Sequence, residues 1–577
     1  MDFNLISQLD EELKDYFEGE VVIGNGNEKK KRDSYTYSQY DTLESIDYAI
    51  GSKFEQGDVD KDGTPKLYLN LVAFKAETAA KNIDIDVSNF AFIPEDSDSV
   101  YGALLLRKKF REWARERFYG EMINEQVESF PTYGSVVVKK IGRDIENVPL
   151  QKLRNQHDAK DLQTARYVII EHTKMTKEEM EDMPDWNLEN LDLEWNTETN
   201  VFERYGRVPL GFLKEFKGEQ ASEEDWDTSV DTVSYLAPDL KVKDPLDQIL
   251  FIEEIKERPF LEVHYKKIQG RWLGEGEVEK NLGNQVAKNM VFNLRKKGLA
   301  WSTKNIFQTM DEQMASNLVR QVNDGDVLRM SMEGGIQRID TTNRAVADFN
   351  SMDSEIENNA NQRSFTFEVA TGETLPSGTP FRLGALLSNA VNSYYNLKRE
   401  KLGIFQTKIV TNFLIPIFEK ENKKPGIISV AEGEESFDVL REAKKEAYIG
   451  ELLKRGVLKG EIVDPNQIRE FVSQQAEKSG FDFYKYGEDF WTRVKRTVAI
   501  EVTGESTDIK QKVETLVTLY TDMSQKGDKN AMKVLKQILA ITGNKMPLET
   551  PSIAQQTQPQ QSPDLQGLTA AVTPAKL

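Results

Sequence analysis

The sequence predicts an α+β fold that is mainly helical. Long segments carry apolar residues at steps of three and four, as one face of a helix does, and shorter segments between them are rich in β-branched residues. A stretch rich in Gly, Pro and Thr separates two of the longest helical segments. With 577 residues, of which 38% are hydrophobic and 9% aromatic, the chain can form several domains with cores of their own.

The first 275 residues divide into two predicted parts. Residues 1–66 are polar and charged, so we expect a peripheral segment. Residues 67–275 are predicted to be a mixed α/β region. Its predicted elements are a helix over 100–126, strands at 129–140 and near Val148 joined by a turn at 142–144, a strand at 167–171, a helix capped by Thr176, and strands at VSYL and ILFIEE in an otherwise irregular stretch.

A long helix is predicted next, over residues 276–297. It carries one apolar seam, whose members lie four residues apart: Val278, Leu282, Val286, Met290 and Leu294. A small mixed module follows, with a strand at 304–309, a helix at 312–322 and a hairpin of VLRMS with IQRID.

Two more helices flank the Gly/Pro-rich stretch. Residues 343–369 repeat an apolar stripe that includes Phe349, Met352 and Ile356, and such a helix would extend roughly 40 Å. Residues 371–384 (TGETLPSGTPFRLG) form the predicted loop, and a helix is predicted from 385 to about 416. Two long helices held apart by a loop of this length predict a part that projects into something.

The C-terminal third is predicted to mix helices with an end strand, VKRTVAIEV, up to residue 503. Residues 508–542 have the pattern of a helical hairpin. From residue 549 the chain consists largely of Gln, Pro, Thr and Ala, which cannot bury enough surface to fold, so a disordered tail is expected there.

The overall charge limits the functions to consider. A formal charge of −21 argues against a protein that grips DNA tightly, because phosphate binding relies on Lys and Arg. It is compatible with a wall along which DNA slides, since an acidic surface repels phosphate. The chain has no cysteine, no apolar run long enough for a membrane span and an acidic N-terminus unlike a signal peptide, so a soluble, non-secreted protein is expected.

Asp58, Asp60 and Asp62, followed by Gly63, have the spacing of a calcium-binding loop. The twelfth position of that loop is Leu69 instead of a bidentate glutamate, and Pro65 interrupts the helix that should follow. A solvated acidic turn is therefore the favoured interpretation, and a metal site the weaker one.

Other catalytic motifs are missing from the sequence. GNGN at 24–27 lacks the third glycine of a dinucleotide fingerprint, and the chain has no Gly-Lys dipeptide, which excludes a Walker A loop. It also has no H-E-x-x-H or G-x-S-x-G pattern, and its three histidines, at 157, 172 and 264, are expected to be structural. No active site and no cofactor are predicted.

The order of these segments resembles the portal protein of tailed double-stranded DNA bacteriophages, over about residues 90–420. The similar parts are, in order, a long helix ending in INEQ, the strand YGSVVVKK, HYKKIQGRWLGEGEVEKNLGNQVAKN opening a helix, a small α/β module, a second helix, the loop TLPSGTPFRLG and a long helix containing KREK.

The resemblance implies a portal architecture of wing, stem helices, clip, tunnel loop and crown. The implied bounds are wing at 67–275 and 385–503, stem helices at 276–299 and 343–370, clip at 300–341, tunnel loop at 371–384, helical crown at 505–547 and tail at 548–577. Compared with the family, the clip is short, the crown is small and residues 1–66 have no counterpart.

The resemblance also implies a function: a ring, expected to be dodecameric, at one capsid vertex of the virion, assembled in the host cytoplasm. The ring would pass genomic DNA during packaging and ejection, and would bind the major capsid protein, the packaging terminase and a tail adaptor, with no membrane contact. The implied DNA-facing loop residues are Thr371, Thr374, Pro376, Ser377, Thr379, Phe381 and Arg382. The implied stem-lumen residues are Asp348, Asp353, Glu355 and Glu357, and the implied partner-docking residues of the clip are Arg329, Glu333 and Arg338.

Two alternatives remain open from the sequence. Another virion component, such as a head-tail adaptor or a baseplate protein, would also lack catalytic motifs. A metal-dependent hydrolase would have to use Asp58, Asp60 and Asp62.

Overall fold

The structure is a computed structural model of the full chain. It describes residues 3–19, 21–23, 35–59, 63–94, 100–188, 191, 198–240, 242, 244–302, 306–308, 337–339, 346–367, 381–421, 426–431, 449, 481–486, 498–502 and 518. The calcium-loop positions 60–62, the VLRMS strand, the predicted helices between 432 and 480, the helical hairpin at 508–542 and the tail lie outside these residues.

Helices form most of the regular structure in the described residues, and the fold is α+β, as predicted. The helices are α1 (Leu5–Glu18), α2 (Gln39–Ile50), α3 (Leu71–Asn82), α4 (Val100–Glu116), α5 (Tyr119–Tyr133), α6 (Lys177–Glu181), α7 (Leu210–Phe216), α8 (Glu223–Asp227), α9 (Glu277–Ser302), α10 (Val346–Ser364), α11 (Phe381–Ile409) and α12 (Ile415–Glu421). One π-helical turn, Val410–Leu414, joins α11 to α12.

The strands pair in antiparallel sheets. They are β1 (Val21–Ile23), β2 (Tyr35–Tyr37), β3 (Phe90–Pro94), β4 (Ser135–Ile141), β5 (Asp144–Asn147), β6 (Leu153–Asn155), β7 (Tyr167–Thr176), β8 (Glu198–Pro209), β9 (Ser229–Leu236), β10 (Ile249–Glu254), β11 (Phe260–His264), β12 (Ile306–Gln308), β13 (Gln337–Ile339), β14 (Gly426–Ala431), β15 (Phe481–Tyr486) and β16 (Val498–Val502). The largest sheet has the order β10-β9-β8-β7-β6, and a second has the order β11-β4-β5.

The helix predicted over residues 100–126 is two helices. Phe118 has a φ of 51°, in the left-handed region, and breaks the chain between α4 and α5. The second helix then continues to Tyr133, so residues 129–133, predicted as strand, are helical. The prediction failed there because the β-branched run of β4 begins only at Ser135, after the helix ends at Gly134.

Two glycines allow the chain to cross itself at the base of α9. Gly134 has a φ of 80°, and a Cβ atom there would lie 2.3 Å from the carbonyl oxygen of Gly274. A Cβ on Gly274 would lie 2.2 Å from the carbonyl oxygen of Gly134. Only glycine fits a contact this close, and the crossing fixes where α9 begins relative to β4.

The N-terminal segment is part of the packed structure, contrary to the prediction of a peripheral position. Leu5 and Leu9 of α1 are buried against the five-stranded sheet. Glu12 accepts two hydrogen bonds of 2.6 Å from the buried guanidinium of Arg204 in β8. The prediction was wrong for α1 because it took a polar and charged composition as a sign of a peripheral position, whereas Glu12 is paired in the interior.

The main core contains helices that come before and after the Gly/Pro-rich stretch in the sequence. Apolar side chains of α4 and α5 pack with those of α11, the π-helical turn and α12. Gly403 of α11 lies close to β16, where a Cβ would meet the carbonyl oxygen of Val502 at 2.7 Å. The second half of α11 is therefore anchored to this core and to β16.

Candidate functional site

The most distinctive part of the described fold is an antiparallel pair formed by α9 and α10. Three of the polar contacts that join the two helices have members seven residues apart on each helix. The contacts are Asn281 Nδ2 to Ser364 Oγ at 2.7 Å, Lys288 Nζ to Glu357, and Arg295 NH1 to Asn350 Oδ1 at 3.0 Å. Because seven residues make two helical turns, all three contacts lie on one face. At 1.5 Å per residue, the 26 residues of α9 extend about 39 Å.

A short β-ladder lies between the two helices in the sequence. α9 ends at Ser302 and β12 begins at Ile306, whereas β13 ends at Ile339 and α10 begins at Val346. β12 pairs antiparallel with β13, so the strand predicted at 304–309 is confirmed at its centre. The sequence between the two helices thus contains a small β element.

The second polar face of α9 binds an extended segment of its own chain. Gln285 Oε1 accepts from the backbone N–H groups of Leu71 at 2.7 Å and Val72 at 3.1 Å, and its Nε2 donates to Leu69 O. Asn289 Oδ1 accepts from Leu69 N. Asn293 both accepts from Leu67 N and donates to Leu67 O. We call these three side chains of α9 the amide ladder.

The apolar seam of α9 faces outward over most of its length. Val278 is fully buried, but Val286 and Met290 are 66% and 64% exposed. The sequence predicted this seam as the single apolar face of the helix. In the described residues only the N-terminal part of the seam packs within the chain. Over the rest of α9, the contacts within the chain are made by its amide and charged side chains.

A buried glutamate holds the base of α9 against α11. Glu277 is fully buried and accepts from the hydroxyl groups of Tyr265 at 2.8 Å and Tyr394 at 2.5 Å. The Lys398 Nζ lies 4.0 Å from the centroid of the Tyr265 ring. Burial lowers the pKa of Lys398 to about 8, with Lys401 adding to the effect.

Two of the four predicted stem-lumen carboxylates are engaged inside the chain. Lys288 Nζ pairs with Glu357 and lies 3.6 Å from Asp353, so both carboxylates turn toward α9. Asp348 and Glu355 are exposed. The prediction treated all acidic residues of α10 alike, but their places around the helix divide them into two groups.

The predicted tunnel loop overlaps the start of α11 at its last four residues. Phe381 and Arg382 are the first two residues of α11, and residues 383 and 384 are helical as well. The loop prediction was wrong at these four positions because a helix can begin directly after Pro380. A proline at a helix start costs no hydrogen bond, since the first N–H groups of a helix have no partner within it. Thr371, Thr374, Pro376, Ser377 and Thr379 lie outside the described residues.

The remaining predicted site residues are only partly described. Arg338 lies in β13 opposite Phe307, whereas Arg329 and Glu333 lie outside the described residues. Asp58 Oδ1 accepts from the backbone N–H of Phe54, and Asp60 and Asp62 are not described. The described residues contain no cluster of three or more histidine, cysteine or carboxylate side chains placed to hold a metal ion.

Ser135, His264 and Glu262 are arranged like a hydrolytic triad but are buried in a structural contact. Ser135 Oγ is 2.8 Å from His264 Nδ1, and His264 Nε2 is 3.3 Å from Glu262 Oε1. Ser135 is fully buried, and its Oγ accepts from the backbone N–H of Gly274. A nucleophile must reach its substrate, so these residues tie β4, β11 and the glycine crossing together.

Within the part of the chain that the structure describes, no helix has the length and apolar character needed to cross a membrane. Each of the three histidines contacts a neighbouring side chain, and His157 is buried. His172 Nε2 is 3.0 Å from the buried Glu203, His264 is the triad-like residue, and the ring of His157 packs edge-on against Tyr16.

Comparison with known proteins gives no family. No protein-family model and no curated protein matches the chain. The solved structures that are similar to this chain include two for which the matched region covers 65% of this chain and 81% of the other chain. They are the neck of an empty gene transfer agent particle computed with C6 symmetry, at 8% identity and a TM-score of 0.33, and the virion of a native gene transfer agent particle, at 7% identity and a TM-score of 0.31. Similarity at this level does not assign a function.

The amide ladder and the interhelical contacts were not predicted, although the sequence contains a signal for both. Asn281, Gln285, Asn289 and Asn293 recur every four residues in NLGNQVAKNMVFN. A helix that places amides at this spacing presents a continuous row of donors and acceptors on one side. The apolar seam has the same four-residue spacing, and the prediction considered that seam alone.

Proposed function

We propose that this chain is the subunit of a viral portal, a ring at one capsid vertex through which double-stranded DNA passes. The observation that carries the proposal is the α9–α10 pair, which satisfies its polar face internally and exposes an apolar seam. An exposed apolar surface of this kind normally marks a contact with another molecule. A ring of identical copies supplies that contact on every subunit.

The charge of the chain supports a conduit. Each copy contributes a formal charge of −21, so a ring of copies would surround its channel with an acidic field. Such a wall repels phosphate and keeps a duplex from adhering while it moves. Residues 368–380, between α10 and α11, are the proposed contact with the duplex, and by resemblance they include Thr371, Thr374, Pro376, Ser377 and Thr379.

The energy for moving DNA would come from a partner. The sequence contains no Walker A loop, so a packaging ATPase must supply the work. We propose that the terminase docks at residues 300–341, which follow α9, and that a tail adaptor later binds there.

Antibody labelling of particles assembled from the genome that encodes this chain tests the proposal. We expect label at a single vertex, both on tailed particles and on tail-less capsids that have not yet packaged DNA. Label that appears only after tail attachment would make the chain an adaptor. Label at the far end of the tail would make it a baseplate component, and either result would overturn the portal assignment.

A further inference from the structure

A groove with an apolar floor runs along the exposed seam of α9. Val286, Met290 and Leu294 line it together with residues of α2 and of the chain after α2, and its volume is about 520 Å³. Three lysines, Lys53, Lys66 and Lys297, and one glutamate, Glu55, also line the groove. We call this surface the α9 groove. It is apolar at its centre and mainly basic at its rim.

A complementary feature lies on α10. Met352 is 48% exposed, although exposing an apolar side chain to water costs free energy. Asp348 lies four residues before it and Glu355 three residues after it, and both are exposed. Residues at these spacings are neighbours on a helix surface. We call these three residues the α10 knob, an apolar side chain between two carboxylates.

The groove and the knob lie on opposite outer sides of the helix pair. Met290 is two residues from Lys288, which contacts α10, and two residues correspond to a rotation that places the side chains about 160° apart. Asp348 and Glu355 are likewise each two residues from the contact residues Asn350 and Glu357. The two features therefore point away from each other, and one copy cannot close them on itself.

We propose that the α10 knob of one copy binds in the α9 groove of a second copy. The Met352 side chain would cover Val286 and Met290, while Asp348 and Glu355 would face the lysines of the rim. Because the two surfaces differ and lie on opposite sides, the contact is head-to-tail and each bound copy leaves a new groove and a new knob free. Repetition by rotation closes a ring.

This inference rests on the ring-forming part of the proposed function and changes one of its details. The sequence predicted Asp348 and Glu355 as residues of the channel lumen, whereas the proposed contact places them between subunits. Charge complementarity selects a copy of this chain as the partner: the carboxylates of the knob match the lysines of the groove, and like charges would repel.

The Met290→Glu substitution tests the apolar centre of the contact. Met290 is 64% exposed in one copy, so the folded monomer should keep its circular dichroism spectrum and its melting temperature. A carboxylate facing Met352 in the assembled contact should weaken self-association at least tenfold, which is the size of effect expected for a residue at the centre of an interface. Analytical ultracentrifugation measures the dissociation constant. The matched control is Leu246→Glu, at a residue that is 49% exposed and distant in sequence from both surfaces.

Charge reversal tests the pairing itself. A Lys53→Glu, Lys66→Glu double variant and an Asp348→Lys, Glu355→Lys double variant should each be monomeric alone at concentrations where the unmodified chain assembles. Mixed in equal amounts, they should assemble again, because each groove then meets a knob of opposite charge.

The outcomes separate this inference from the proposed function. If the unmodified chain forms rings and Met290→Glu forms them equally well, the contact is wrong and the portal proposal stands. If the mixed variants stay monomeric, the pairing of groove with knob is overturned. If assembly follows these predictions but the assemblies lack a channel, the contact is supported and the portal proposal fails.

Discussion

At the scale of single residues, buried charges in the five-stranded sheet are held in small networks. Glu203 in β8 is fully buried, and its carboxylate lies 2.6 Å from Lys139 Nζ and 3.0 Å from His172 Nε2. Burial by itself would raise the pKa of Glu203. The contacts with His172 and Lys139 outweigh it and lower the pKa from 4.5 to about 2.

This shift predicts how the stability of the fold depends on pH. A carboxyl group whose pKa is lower in the folded chain stabilises the fold above its unfolded pKa, so the contribution of Glu203 is complete above about pH 4.5 and is lost as pH falls toward 2. We expect Glu203→Gln to destabilise the chain by about 3 kcal/mol at pH 7, because Lys139 is left buried without its partner. Urea unfolding at pH 7 and pH 3 measures the effect, which should shrink at the lower pH.

The matched control is Glu253→Gln, at an exposed position of β10. It should change the free energy of unfolding by no more than about 0.5 kcal/mol. Equal losses in the two variants, or a loss at Glu203 that does not depend on pH, would contradict the interpretation of Glu203.

At the scale of elements, α9 shows what the sequence could and could not predict. Its existence and its start follow from the four-residue spacing of apolar residues and were predicted within one residue at the N-terminus. Which face packs was not predictable from hydrophobicity, because a polar row and an apolar row both recur every four residues. The choice depends on the extended backbone of Leu67–Leu71, which needs hydrogen-bond partners and finds them in the amide ladder.

The amide ladder predicts a local pattern of hydrogen exchange. Gln285→Leu would remove the acceptor of the Leu71 and Val72 amides and leave both donors unpaired in a buried place. We expect the free energy of opening measured by hydrogen exchange to fall by about 1–3 kcal/mol at these two amides, which is the cost of an unsatisfied buried donor. Gln362→Leu, at an exposed position of α10, is the control. Unchanged protection at Leu71 would show that α9 does not hold this segment.

Shortening the segment between α10 and α11 should impair DNA packaging without preventing ring assembly. Deleting residues 374–380 leaves the start of α11 at Phe381 in place. Rings should still form, because the α9 groove and the α10 knob are untouched, while nuclease-protected DNA per particle should fall several-fold. A deletion of equal length at 560–566, in the predicted tail, is the control. Loss of rings would instead make the segment a packing element.

At the scale of the whole molecule, the α+β class and the order of the long helices could be predicted from the sequence, and residue-level pairing could not. The predicted peripheral N-terminus failed through Glu12, whose charge is satisfied by Arg204 almost two hundred positions away. The predicted single helix at 100–126 failed through Phe118, whose left-handed φ of 51° interrupts an otherwise helical pattern, although its side chain is 68% exposed. The partner of Glu12 lies far away in the sequence, and a left-handed phenylalanine is uncommon, so local patterns predict neither feature.

For the candidate site, the sequence located the helices but misjudged their surfaces. The apolar seam of α9 was predicted, but which side of the helix packs within the chain was not, and all four carboxylates of α10 were implied to face the lumen, whereas Lys288 holds two of them. Both differences have one cause, since Lys288 and the amide ladder turn the polar side of α9 inward. The same rotation exposes the surfaces that we propose as the contact between copies.

The central claim is that copies of this chain form a closed ring around a channel for DNA. A cryo-electron microscopy reconstruction of the purified full-length chain tests it most directly. We predict a closed ring whose channel admits a DNA duplex, with α9 of each copy packed against α10 of the next and residues 368–380 at the channel wall. A chain that stays monomeric at high concentration, or a closed assembly without a channel, would contradict the account.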